Sequence, residues 1–237
     1  MDFAFSRSRI MLAALAGAAV LMLVGAAGAQ AKLLELTGST TVTPSEQATQ
    51  FLADHGVSVA PVGQAVAEEG SFVFPIAAGF GNSGNFNGLL AHSGGLKFTK
   101  GDRSAVLRRF VAVRAGRTAV LLAQIPGLRG GCGHVRQALR QFAATHPRAG
   151  KAARKHPKAT RHLLKTLGRY CNGGRVIVLA RLTNLGKDVG YNSALLTADL
   201  ELSRQAARLL NRLAGGQGIT AGAPLGTAES RVTVVTN

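Results

Sequence analysis

His92 and Ser93 stand together in a glycine-framed apolar stretch, Gly88-Leu89-Leu90-Ala91-His92-Ser93-Gly94-Gly95-Leu96-Lys97-Phe98. A histidine beside a serine is half of a nucleophilic triad, but neighbours on a strand point to opposite faces and cannot pair. The acid that a triad needs is scarce: Asp and Glu number 11 in 237 residues and are scattered. No Gly-x-Ser-x-Gly elbow, HExxH, phosphate-binding loop or paired-carboxylate segment occurs. The residues therefore point to binding and away from catalysis. His92 has two readings, either a ligand-facing side chain able to meet a metal-centred group directly or a strand histidine satisfied by backbone. Gly94-Gly95 beside it reads as a bulge or turn.

A second chemistry lies between Cys132 and Cys171, the two cysteines of the chain. In an exported protein an even count points to a disulfide, here closing 38 residues between its ends. Such a tie contributes about 4 kcal/mol on the chain-entropy account. A two-cysteine metal site is the alternative, but neither cysteine belongs to a CxxC pair. Between them stand Arg136, Arg140, Arg148, Lys151, Arg154, Lys155, Lys158, Arg161, Lys165 and Arg169, with no acid. These ten cations carry most of the chain's formal net charge of +17. Polyanion contact, a plain solvated hairpin and disorder are the three readings. The polyanion partners expected are anionic cell-envelope polymers or lipid headgroups. Sequence-specific nucleic-acid reading is not expected outside the cell, and no aromatic side chains interleave with the charges in the connection to stack on single-stranded bases. His134, His146, His156 and His162 lie among the same cations, which oppose a metal ion, and no metal site is expected.

The elements that must position these residues begin after an export signal. Arg7 and Arg9 precede an apolar run from Ile10 to about Ala29, and Ala29-Gln30-Ala31 offers a small-x-small cleavage site. Residues 1–31 are predicted to be a signal peptide, an uncleaved anchor being the alternative. Residues 32–237 form one secreted or cell-wall-associated domain without a further membrane span. Phe72–Ile76, Leu89–Phe98, Val106–Val113, Thr118–Ile125, Arg175–Thr183, Tyr191–Leu202 and Arg231–Thr236 read as strands, and Pro75 suggests an edge. Two segments look duplicated: Ser45-x-Gln47-Ala48 and Ser203-x-Gln205-Ala206 each lead to an apolar pair, a Gly plus β-branched residue, and Pro-x-Gly. The first reads as a short helix with Thr43 as N-cap and Glu46 completing a capping box. The second has Arg204, Arg208 and Arg212 on its wet face and stops at Gly215-Gly216. Val135, Leu139 and Phe142, then Leu163, Leu167 and Tyr170, mark two helices of a basic hairpin over 132–171. The fold class is mainly β, an antiparallel sandwich or barrel with two short packing helices and this helical-hairpin insertion.

The stretch Gly88–Phe98 resembles the central strand of the HtaA-type domain, a haem-binding module of secreted and cell-wall actinobacterial proteins. Leu196–Val235 is similar to that family's closing pattern of Ala-rich helix, Gly and final strand. Together they cover about a third of the mature chain. The resemblance implies haem as ligand. In the family a tyrosine of the first helix ligates the iron, a central-strand histidine hydrogen-bonds that tyrosine, and further aromatics wall the pocket. His92 matches the central histidine. The first helix here, Ser45–Leu52, has no tyrosine, and its aromatic is Phe51, which cannot ligate iron. The expected function is thus a non-enzymatic binding protein for haem or another small apolar ligand, met by His92 and Phe51. The alternative is a structural or interaction protein that binds envelope polymers through the basic hairpin.

Overall fold

The structure is a computed structural model and describes residues 33–82, 87–115, 118–127, 174–216 and 218–235. Among these residues eleven strands and two helices follow in chain order: β1 Leu33–Pro44, α1 Glu46–Asp54, β2 Ser58–Val62, β3 Val66–Glu68, β4 Ser71–Asn82, β5 Gly88–His92, β6 Gly95–Lys100, β7 Arg103–Ala115, β8 Thr118–Ile125, β9 Arg175–Val189, β10 Ser193–Leu202, α2 Arg204–Ala214 and β11 Pro224–Val235. The fold is mainly β, as the alternation of short apolar runs and turn residues predicts.

Pairing around the sheet runs β5-β4-β1-β11-β10-β9-β8, and β7 pairs with both β5 and β8. The eight strands close into an antiparallel barrel, which leaves these strands no open edge within the ring. One edge of β7 is shared in series: Gly95–Lys100 pair with Arg103–Arg108, and Gly88–Ala91 pair with Val111–Arg114. The predicted continuous strand over Leu89–Phe98 is thus two strands, split at Ser93-Gly94. Gly94 has φ +79°, and a Cβ there would lie 2.4 Å from the Ala65 backbone nitrogen. Only glycine fits, and the break re-aims the chain straight after His92.

Pro75 does not mark an edge. β4 pairs with β1, β3 and β5, and the missing N–H is accommodated beside register shifts at Leu36/Ser39 and Ile76/Ala78. The capping prediction also changes. β1 stays paired with β11 through Pro44, opposite Gly226, so the strand consumes Thr43 and the cap passes to Ser45. Ser45 Oγ accepts from Ala48 N at 3.1 Å, and Glu46 is the first helical residue.

The duplicated segments fold alike. Ser203 Oγ accepts from Ala206 N at 3.1 Å, the counterpart of the Ser45 cap. Each helix follows a long strand and is followed by a buried β-branched residue, Val57 and Ile219. Ala206, Ala207, Leu210, Leu213 and Ala214 face inward on α2, Arg204, Arg208 and Arg212 outward, and Gly215 closes it at φ +74°. Both helices share a core with Phe74, Phe98, Leu107, Phe110 and Leu179, so they cover the barrel at the end where β1 finishes.

Ile125 pairs with Arg175, so the segment between them joins two adjacent antiparallel strands. The expected basic hairpin, its ten cations and Cys132 and Cys171 lie outside the described residues, as do the proposed signal and Tyr170. Among the described residues no helix is long and apolar enough to cross a membrane.

Candidate ligand-binding cavity

β5 is buried on both faces, and His92 closes it just before the Gly94 break, with its ring inside the barrel. The Nδ1 atom lies 3.2 Å from the Phe110 carbonyl oxygen, which can only accept, so Nδ1 carries the proton. The neutral ring then accepts at Nε2 from the Thr40 hydroxyl, 2.7 Å away. Thr40 Oγ1 in turn accepts from Ser230 Oγ at 2.8 Å. Ser230, Thr40 and His92 form a one-way relay ending on a backbone carbonyl. Every proton in it is used internally.

Burial fixes this charge state. Loss of solvation pushes the His92 pKa down from 6.5 to about 4, against the smaller upward pull of the Phe110 carbonyl. The ring is therefore neutral at physiological pH. Among the described residues no carboxylate lines the cavity to favour an imidazolium.

Around this relay the barrel holds a cavity of about 190 Å³. Its lower wall carries Phe51 from α1 with Phe74, Phe98 and Phe110, and Phe74 and Phe110 meet edge to face with centroids 5.1 Å apart. Its upper wall carries Leu36, Leu90, Leu121, Leu182 and Leu196, and ends at Gly81, Gly88, Arg114 and Ala119. A dry apolar cavity of about 150 Å³ takes benzene. This one has room for a ring or a length of alkyl chain, and offers it almost wholly apolar walls.

Two sequence candidates, His92 and Phe51, come together in this cavity from β5 and α1. The second reading of His92, a buried strand histidine bonded to backbone, describes its contacts better than direct ligation, because neither ring nitrogen is free. Thr40 and Ser230 went unnoticed in the sequence. They sit in alternating stretches of β1 and β11, and their only signal is a small polar residue at an inward position.

The walls do not fit an axial iron ligand. Among the described residues no tyrosine, cysteine or methionine lines the cavity, and the one histidine that does is doubly engaged. Tyr191 is 99% exposed and takes no part. The hydroxyl that His92 bonds belongs to Thr40 on a strand, not to a tyrosine on the first helix. Among the described residues no group of three or more His, Cys, Asp or Glu side chains could hold a metal ion.

No family model matches the sequence, and no curated protein matches it significantly. Solved structures do. The C-terminal domain of HtaA from Corynebacterium glutamicum superposes with TM-score 0.55 at 13% identity, over 85% of this chain and 99% of that one. The N-terminal domain of the same protein superposes with TM-score 0.50 at 15% identity, over 88% and 100%. At such identities the likeness is one of architecture, and it agrees with the resemblance of the central and closing segments: the chain has the fold of the HtaA-type domain.

Proposed function

We propose that this protein is a secreted or cell-surface, non-enzymatic carrier that holds a small apolar ligand inside its barrel. The observation that supports this reading is the cavity beside His92: apolar walls around a polar relay whose protons are already spent. Such a site rewards removal of apolar surface from water and offers no group poised for proton transfer. Haem is the apolar ligand that the sequence resemblance implies. A cavity of about 190 Å³ would have to widen to take its macrocycle, and among the described residues no wall residue is free to take the iron. The basic stretch between Cys132 and Cys171 would hold the carrier near anionic envelope polymers or lipid headgroups.

Titration of the purified protein with hemin and with Nile red, a neutral polarity-sensitive dye, tests the reading. Saturable binding of at least one is expected, weakened at least tenfold by Leu90→Trp, which fills the cavity. Absence of saturable binding by both ends it. A hemin spectrum that shifts and loses the shift in His92→Ala would move the iron onto His92 and overturn the closed relay.

A further inference from the structure

Among the described residues Arg114 is the one charged residue that lines the cavity. It stands one residue before the end of β7. Its cross-strand neighbours are Gly88 on β5 and Ala119 on β8, and Gly81 on β4 follows beyond Gly88. Directly opposed residues of an antiparallel pair share a face, so one row around the barrel reads Gly81, Gly88, Arg114, Ala119. Three small residues leave space around a single guanidinium. Leu33 at the start of β1 pairs with Asn82, next to this row, whereas α1 follows the far end of β1. The row therefore marks the end of the barrel opposite the helices.

The guanidinium is also left wanting a partner. Arg114 Nε is buried with no hydrogen-bond acceptor. Among the described residues no Asp or Glu lines the cavity, and the relay of Ser230, Thr40 and His92 is turned in on itself. A buried donor on a permanently charged group costs free energy until an acceptor arrives, and the planar guanidinium matches a carboxylate.

Resting on the carrier reading above, we propose that the cavity takes an apolar molecule bearing a carboxylate, with its apolar body in the barrel and its anionic group on Arg114. The apolar walls set the affinity for the body. Arg114 sets the polarity of entry and selects acids over their neutral counterparts. The shared chemistry belongs to both a long-chain fatty acid and the carboxylate edge of a porphyrin.

Calorimetric titration of the full chain with palmitate, methyl palmitate and hemin tests this. Palmitate, hemin or both are expected to bind, and the neutral ester more weakly than the acid. Arg114→Gln is expected to cost the acidic ligand about tenfold to a hundredfold in affinity while leaving methyl palmitate unchanged. Arg114→Lys, which keeps the charge, should retain part of the preference, and a thermal melt of each variant confirms folding. Palmitate binding with Arg114 dependence identifies a fatty-acid-like source, and hemin binding alone with the same dependence identifies a porphyrin acid. Equal binding of acid and ester, or equal losses of both in Arg114→Gln, overturns the role of Arg114 and leaves the carrier reading standing. Failure of all three to bind overturns the acid preference, and the carrier reading falls with it only if Nile red also fails to bind.

Discussion

Thr40 Oγ1 lies 2.7 Å from His92 Nε2, joining two residues 52 positions apart across the inside of the barrel. This contact turns a histidine with ligating potential into an acceptor already in use. The hydroxyl that meets His92 therefore comes from a threonine of β1, whereas the family resemblance implies a tyrosine of the first helix.

Acid should destabilise the fold through His92. Its folded pKa of about 4 lies below the unfolded value of 6.5, so the unfolded chain binds the proton more readily. The stability that this group contributes is complete above pH 6.5 and declines as pH falls toward 4, by about 3 kcal/mol in all. Urea midpoints measured from pH 7.5 to pH 4 should show the decline in the wild type and a flatter profile in His92→Leu. Parallel profiles would mean that the ring titrates normally.

Cutting the relay should be costly without charge. Thr40→Val leaves His92 Nε2 buried without a donor, at about 1–3 kcal/mol. Ser230→Ala should cost less, because the Thr40–His92 bond survives it. A double-mutant cycle on these two positions should give a non-zero coupling, as expected of directly bonded side chains.

Thr40→Tyr puts a phenol, a competent iron ligand, into the cavity from the strand position beside His92. In the presence of hemin this variant should develop a phenolate-to-iron absorption band that the wild type lacks. An unchanged spectrum in a folded, hemin-bound variant would separate this relay from the family's iron site.

The turn after His92 depends on one residue without a side chain. Gly94→Ala combines a left-handed φ with a Cβ 2.4 Å from the Ala65 nitrogen and 2.9 Å from the Val62 carbonyl oxygen. A loss of at least about 2 kcal/mol is expected from chemical denaturation. Gly101→Ala, where the φ is also positive but the Cβ meets nothing, should cost less.

Deletion of residues 133–170 separates the two proposed binding modes. Because Ile125 and Arg175 are paired, the flanking strands can be rejoined by a short turn. The shortened protein should keep its cavity ligand and lose retention on heparin beads. Retention of the full protein should fall steeply with salt, as for any contact made by screened cations. Retention that survives both the deletion and high salt would remove the role of the ten basic residues.

Local chemistry was legible in advance. β8 begins and ends at Thr118 and Ile125 as its β-formers require, and α2 shows its apolar face and its glycine stop in the spacing of Ala206, Leu210, Leu213 and Gly215. Both follow from side chains close in sequence, where periodicity and turn residues act. The duplicated Ser-x-Gln-Ala signal likewise marks two real caps. The capping-box reading at Thr43 mislocated one start, because the pairing of Pro44 with Gly226, set 182 positions away, decided where β1 ends.

What only the tertiary structure decided is the chemistry of the site. The sequence alone established a β-rich chain poor in acids, with a histidine framed by glycines and a family likeness in its central strand. It could not show that Thr40, His92, Phe110 and Ser230 close a relay, or that Arg114 faces into the cavity with an unmet donor. Those facts depend on strand register and on two ladder irregularities that turn β1 and β4, and a shift of one residue would reverse every inward face. Register is a property of the closed barrel, where long-range pairings satisfy one another, and no local stretch of the chain contains it.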